Sequence, residues 1–210
     1  MGRGQEGLAR LVEREGVSPG IVEAFRAVAR EDFVPDQARW EAYSDRPISI
    51  LERQTTSQPS LIARMIDAAA IGPGDRVLEV GTGFGFQTAL LARVAKEVVS
   101  IERHASIAQA ARDNLERAGI GNAEVVVGDG WKGWPERAPY EAIIVSAGAS
   151  DVPAAFVEQL VDGGRVVIPL SSARGDDVYL MRKRGAELEK VRLVTPARFV
   201  PLVPDDPQKR

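Results

Sequence analysis

The sequence predicts an α/β fold: a mostly parallel, doubly wound sheet behind a helical N-terminal cap, followed by an antiparallel C-terminal part. Three observations predict it. Short apolar runs at 76–80, 98–101, 124–127 and 142–145 alternate with amphipathic helical patterns, as expected of buried parallel strands with helical crossovers. The first run breaks into glycines at every second position, Gly81, Gly83 and Gly85. The first 47 residues show helical spacing without strand alternation, whereas the stretch after 171 reads as strands.

In chain order, Leu8, Leu11 and Val12 mark a helix over 5–15. Ser18-Pro19 reads as an N-cap with proline at the first helical position, opening a second helix with Ile21, Val22, Phe25 and Val28 on one face. A third short helical piece covers 37–43. The segment 48–59 is polar and rich in hydroxyls, and it ends at Pro59. Ser57 offers a cap for the helix that follows, which buries Leu61, Ile62, Met65 and Ile66. Gly72-Pro73-Gly74-Asp75 is a turn. Strand one (76–80) then leads to a helix over 85–95, strand two to Glu102, a helix over 105–118, and strand three to Gly128-Asp129-Gly130. Strand four ends at Ser146, Pro153 starts a short helix, and Asp162-Gly163-Gly164 turns into strand five, 165–170. Residues 177–183 and 188–194 form an antiparallel pair about Gly185. One more extended segment, 197–203, precedes a frayed tail from Asp205 to Arg210. The division expected is one domain of 210 residues: cap and loop 1–58, ligand-binding core 59–170, antiparallel part 171–210.

Composition narrows the function. Hydrophobic residues make up 44% and charged residues 27%, an ordinary globular balance. No cysteine is present, which excludes disulfides, thiol catalysis and zinc–thiolate sites. His104 is the single histidine, so no histidine metal cluster is expected; at a helix start it reads best as a surface residue. The net charge of −3 disfavours a nucleic-acid surface. No apolar run reaches the ~18 residues of a membrane helix, and Met1 to Glu6 lead into no signal-peptide core. A monomeric cytoplasmic protein without membrane or nucleic-acid partners is expected.

The stretch Val77-Leu78-Glu79-Val80-Gly81-Thr82-Gly83-Phe84-Gly85 carries the ligand expectation. In open α/β sheets ligands bind beyond the carboxyl ends of the strands, and glycines let the backbone approach them closely. The spacing is Gly-x-Gly-x-Gly, not the dinucleotide Gly-x-Gly-x-x-Gly. Glu79, two residues before Gly81, would repel a pyrophosphate and suits a cation such as a sulfonium. Glu102, 21 residues after Gly81, is placed to accept from ribose hydroxyls. Asp129 either accepts from an adenine amino group or shapes a Gly-Asp-Gly turn. Trp131 and Trp134 either wall a ligand or fill the core. These groups together fit S-adenosylmethionine better than NAD.

With these residues in view, the chain resembles the protein-L-isoaspartate (D-aspartate) O-methyltransferase family. The resemblance rests on Phe33-Val34-Pro35, Tyr43-x-Asp45-Arg46-Pro47, Gln54-Thr55-Thr56-Ser57-Gln58-Pro59, the glycine stretch, Val127-Gly128-Asp129-Gly130, 138–143, Gly163-Gly164-Arg165 and Phe199-Val200-Pro201-Leu202. It implies a class I, Rossmann-like methyltransferase that uses S-adenosylmethionine to esterify isoaspartyl or D-aspartyl carboxylates in damaged proteins, with repair through a succinimide. It implies Ser57 beside the methyl and the acceptor carboxylate, with Glu79, Gly81, Thr82, Gly83, Glu102, Asp129 and Gly130 on the cofactor. Thr55, Thr56, Arg53 and Val200 are expected on the substrate side. Leu51-Glu52-Arg53 stands where many members have glycines, so this loop is expected to reach positive φ less freely, and Arg53 either holds a substrate carboxylate or marks a changed acceptor. The alternatives left open are methylation of one dedicated peptide, an S-adenosylmethionine-binding relative without activity, and, more remotely, a dehydrogenase.

Overall fold

The computed structural model describes residues 4–205. Its centre is a seven-stranded sheet in the order β5-β4-β3-β6-β7-β8-β9. These strands are β3 (Arg76–Val80), β4 (Glu97–Glu102), β5 (Ala123–Val127), β6 (Tyr140–Val145), β7 (Leu160–Ser172), β8 (Gly175–Arg184) and β9 (Glu187–Ala197). Pairing is parallel from β5 through β7 and antiparallel for β7–β8 and β8–β9. The chain enters the sheet at β3, moves outward to β5, then returns to the other side of β3 as β6. That reversal opens a crevice between the ends of β3 and β6.

Among the described residues the α-helices are α1 (Gln5–Arg14), α2 (Pro19–Ala27), α3 (Pro59–Ala69), α4 (Phe86–Val94), α5 (Ala105–Arg117) and α6 (Ala154–Gln159). Because successive strand residues point to opposite faces, Val77, Val98, Val125 and Ile144 pack with Leu8, Ile21, Leu61, Leu90 and Leu115 of α1 to α5. Leu78, Val99, Val126 and Ile143 pack on the other face with Phe156 of α6. Both faces are covered, but five of these helices lie on one of them.

Strand and helix positions follow the sequence pattern to within a few residues. The third helical piece, expected over 37–43, is a 3₁₀ turn at Asp36–Glu41, and a further 3₁₀ turn, Arg30–Phe33, precedes it. Strand five differs more. It begins at Leu160 and loops out at Asp162-Gly163-Gly164, where the turn was expected: Leu160 pairs with Tyr140 and Arg165 with Ala142, and Gly163 takes φ 74°. The polar segment 48–59 holds a small antiparallel ladder, β1 (Ile48–Ser49) with β2 (Thr55–Thr56). Of the expected frayed tail, Asp205 is described and its backbone N–H donates to Asp129 Oδ2 at 3.1 Å; residues 206–210 lie outside the described residues.

Candidate active site

The loop after β3 forms the floor of the site. Gly81, Gly83 and Gly85 have φ of 95°, 56° and 91°, a region that side chains disfavour. A Cβ on Gly81 would stand 3.3 Å from Ser146 Cβ across the β3–β6 crevice. This floor closes one side of a concave cleft.

Of the residues expected on the cofactor, Gly81, Thr82, Gly83, Glu102 and Gly130 line this cleft. Glu102 ends β4, and its carboxylate accepts from Gly83 N at 3.0 Å and His104 N at 3.1 Å. These two backbone donors fix the side chain at the rim while leaving acceptor capacity for a vicinal diol. His104 also lines the cleft, beyond its expected place as a surface residue at the start of α5.

Two of the residues expected on the cofactor have other partners. Glu79 and Asp129 are not among the lining residues. Asp129 accepts from Trp131 N at 2.9 Å and Asp205 N at 3.1 Å, so its side chain shapes the Gly-Asp-Gly turn and ties down the C-terminal segment. Gly128 and Gly130 face the cleft in its place. Trp131 donates from Nε1 to Leu202 O at 3.1 Å, and Trp134 packs on the second core cluster; both tryptophans are structural.

Glu79 is wholly buried at the middle of the sheet. Its carboxylate accepts from Gln87 Nε2 at 2.9 Å, Ser100 Oγ at 2.6 Å and Thr88 Oγ1. Burial pushes its pKa up to about 7, the three donors pull it down, and Glu102 raises it further. Because Ser100 has one proton and gives it to Glu79, Thr82 Oγ1 is the donor in the 2.6 Å contact with Ser100 Oγ. Gln87 Nε2 also donates to Ser146 Oγ at 2.9 Å, and its Oε1 is buried without a partner. Glu79 thus sets the orientation of Thr82, Gln87 and Ser146, all three of which line the cleft. It lies beneath the floor, behind these three residues.

The hydroxyl loop stands opposite. Thr55, Thr56, Ser57 and Val200 line the first cleft and also a second cavity beside it, so the two spaces meet at this loop. Arg53 is exposed and lines neither; it does not point a cation at either space. Glu52 and Arg53 nevertheless adopt φ of 55° and 57°. The backbone takes the left-handed turn without glycine, at on the order of 1 kcal/mol or more for each residue. Hydrogen bonds Ile50 N→Gln54 O (2.9 Å), Gln54 N→Leu51 O (3.0 Å) and Ser106 Oγ→Glu52 Oε1 (2.9 Å) hold it there.

Ser57 does not cap α3. The N-cap position is Gln58, without a side-chain cap bond. Asp45 fills the role from a distance, accepting from Ser60 N at 2.9 Å and Ser60 Oγ at 2.8 Å. The hydroxyl of Ser57 is therefore not tied to the helix end.

Arg30, unnoticed in the sequence, organises this side. It is fully buried and donates to Ala42 O (3.1 Å), Ser44 O (2.8 Å), Arg46 O (3.0 Å), Thr56 Oγ1 (3.1 Å) and Ser57 O (3.2 Å). Its guanidinium lies 5.7 Å from the Phe86 ring centroid. Burial lowers its pKa to about 10. One side chain thus clamps 42–46 to the hydroxyl loop. Arg30 sits one turn past a helix end among charged neighbours, where periodicity reads it as surface. Ser146 was also passed over; its place at the end of strand four was the available signal.

The lining fits a nucleoside: a glycine floor and a rim carboxylate with free acceptor sites, with Arg103 also on the rim and its guanidinium donating to Val203 O. Comparisons with known proteins agree. The family model "Protein-L-isoaspartate(D-aspartate) O-methyltransferase (PCMT)" matches residues 4–206. A protein-L-isoaspartate O-methyltransferase of Methylorubrum extorquens is 45% identical over 203 residues, covering 94% of this chain and 89% of that protein. One from Koribacter versatilis is 44% identical over 200 residues, covering 93% and 90%. A solved protein-L-isoaspartate O-methyltransferase superposes with TM-score 0.85 at 34% identity, covering 94% of this chain; this chain spans 65% of that one. A Plasmodium falciparum structure solved with S-adenosyl-L-homocysteine shares the fold, at TM-score 0.81 and 22% identity over 96% of this chain and 99% of that one.

Proposed function

Because this chain belongs to the protein-L-isoaspartate (D-aspartate) O-methyltransferase family, we propose that it methylates the free carboxylate of isoaspartyl residues in damaged proteins, with S-adenosylmethionine as donor. One observation carries the reading at the level of the site: the glycine-floored, Glu102-rimmed cleft opens at Thr55, Thr56 and Ser57 into a cavity rich in hydroxyls. When bound, S-adenosylmethionine supplies a methyl group on a cationic sulfur.

The residues would divide the work as follows. Glu102 accepts from the ribose hydroxyls, and Gly81 to Gly83 bring backbone against the amino-acid end. Gly128 and Gly130, which line the cleft, would border the base. Ser57, with its hydroxyl not committed to α3, and Ser146, whose proton is not used by Gln87, orient the acceptor carboxylate. That carboxylate is already ionised at neutral pH, so no base is required. Alignment of two reactants in a dry cleft is worth roughly 7–11 kcal/mol, and Ile50, Phe84 and Phe86 supply apolar wall. The methyl ester formed closes to a succinimide with loss of methanol, and hydrolysis returns aspartate in part.

We propose the whole chain as one catalytic unit acting as a cytoplasmic monomer. Among the described residues no helix is long and apolar enough to cross a membrane.

Ser57→Ala tests the arrangement. With an isoaspartyl peptide, kcat is expected to fall about tenfold or more, the worth of one well-placed hydrogen bond to a charged group, while S-adenosylhomocysteine affinity changes less than about twofold. Equal loss of both would show that Ser57 acts on the fold, and a wild-type protein inert on isoaspartyl peptides of any sequence would sink the proposed activity.

A further inference from the structure

The second cavity carries a charge that methyl transfer does not need. It is lined by Arg64 and Arg198, and no carboxylate lines it, in a chain whose net charge is −3. Arg64 is partly engaged: its Nε lies 3.0 Å from Glu15 Oε2 and its Nη1 donates to Thr195 Oγ1 at 3.2 Å. Arg198 is exposed and forms no ion pair among the described residues. Its backbone is nevertheless fixed. Phe199 N donates to Asp176 Oδ2 at 2.8 Å, and Gly148 N donates to Val200 O at 2.8 Å. Arg198 therefore stands on an anchored segment beside Val200 and lines the space that meets the hydroxyl loop.

A single acceptor carboxylate is served by hydroxyls at the junction of the two cavities. A peptide lying in the second cavity would place its neighbouring residues against Arg64 and Arg198. We propose that these two arginines make the enzyme select isoaspartyl sites whose flanking residues carry side-chain carboxylates, with Arg198 the principal determinant. This rests on the proposed activity and names its preferred substrate class. Arginine suits the role because its planar fork pairs with carboxylates in two-point geometry. The effect belongs in KM, since the contact is the same before and during transfer.

The test uses three isoaspartyl peptides, all C-terminally amidated, in which both residues flanking the isoaspartyl are Glu, Gln or Lys. Initial rates of methyl transfer give kcat and KM at low and high salt. For wild type, KM for the Glu peptide is expected to be about fivefold below that for Gln, and KM for Lys about fivefold above, at equal kcat, the scale of partly exposed charge pairs. High salt should compress the series. Arg198→Gln should narrow it and Arg198→Glu should reverse it. Equal KM for all three peptides with wild type, or an unchanged series in Arg198→Glu, would overturn the assignment. Turnover of all three peptides without preference would leave the activity itself standing, whereas no turnover of any would refute that activity and this inference together.

Discussion

Replacing Arg30 by methionine is expected to lower the unfolding midpoint by about 10 °C and isoaspartyl methyl transfer more than tenfold, with S-adenosylhomocysteine binding little changed. The guanidinium serves four backbone carbonyls and the Thr56 hydroxyl inside the protein. Each acceptor left buried without a donor costs on the order of 1–3 kcal/mol. Against this stands the relief of no longer burying a cation, whose penalty is visible in the lowered pKa of about 10. The acceptors outnumber the charge, so a net loss of about 3 kcal/mol is expected, at roughly 2–4 °C per kcal/mol for a chain of this size. The loss falls on the acceptor side because Arg30 ties 42–46 to Thr56 and Ser57, while Glu102 and the glycine floor hang from the sheet. Arg30→Lys should recover only part of it, since an ammonium has three donors and no fork. Thermal melts and calorimetric titration of S-adenosylhomocysteine check both halves. A methionine variant with wild-type stability and wild-type transfer would show that the clamp is dispensable.

Glu79→Gln is expected to separate stability from ligand binding. In the folded protein the Glu79 carboxyl titrates at about 7, against an ordinary value of 4.5. A raised folded pKa means that the folded state holds the proton more tightly. The contribution of this group to stability is therefore full below pH 4.5 and is lost as pH rises toward 7, a decline of about 3 kcal/mol. Glutamine has no such titration. Measured by denaturant unfolding at pH 5 and pH 8, the stability of the variant relative to wild type should increase with pH. Its affinity for S-adenosylhomocysteine should fall about tenfold, because an amide nitrogen facing Gln87, Thr88 and Ser100 forces some of those donors to turn, and Thr82 and Ser146 turn with them. A stability difference that does not vary between pH 5 and pH 8 would show that Glu79 keeps an ordinary carboxyl pKa in the fold.

These two residues mark where sequence reasoning stopped. Strands 76–80 and 142–145 were legible because buried parallel strands are continuous apolar runs, and Glu102 was legible because the length of a β–α–β unit fixes where strand two ends. Glu79 was noticed for its charge and placed on the ligand, yet the sheet's pleat and its pairing opposite Ser100 turn it inward onto hydroxyls. For Asp129 the sequence leaves an adenine contact or a Gly-Asp-Gly turn open, and in the fold Trp131 N and Asp205 N each donate to one of its oxygens. Asp45 was seen as part of a motif and not as a remote cap for α3, because capping across 15 residues leaves no local spacing to read. The left-handed turn at Glu52 and Arg53 ran against the residue types, and only its tertiary hydrogen bonds explain it. Arg53 drew attention as the cation of the loop, while Arg64 and Arg198, which line the second cavity, lie on elements that meet it only through the fold.

The most direct test is transfer of labelled methyl from S-adenosylmethionine to two peptides that differ only in one L-aspartyl or L-isoaspartyl linkage. Base-labile label on the isoaspartyl peptide alone is the expected result. Equal label on both peptides, or no label on either while S-adenosylhomocysteine binds, would contradict isoaspartyl methylation as the activity of this site.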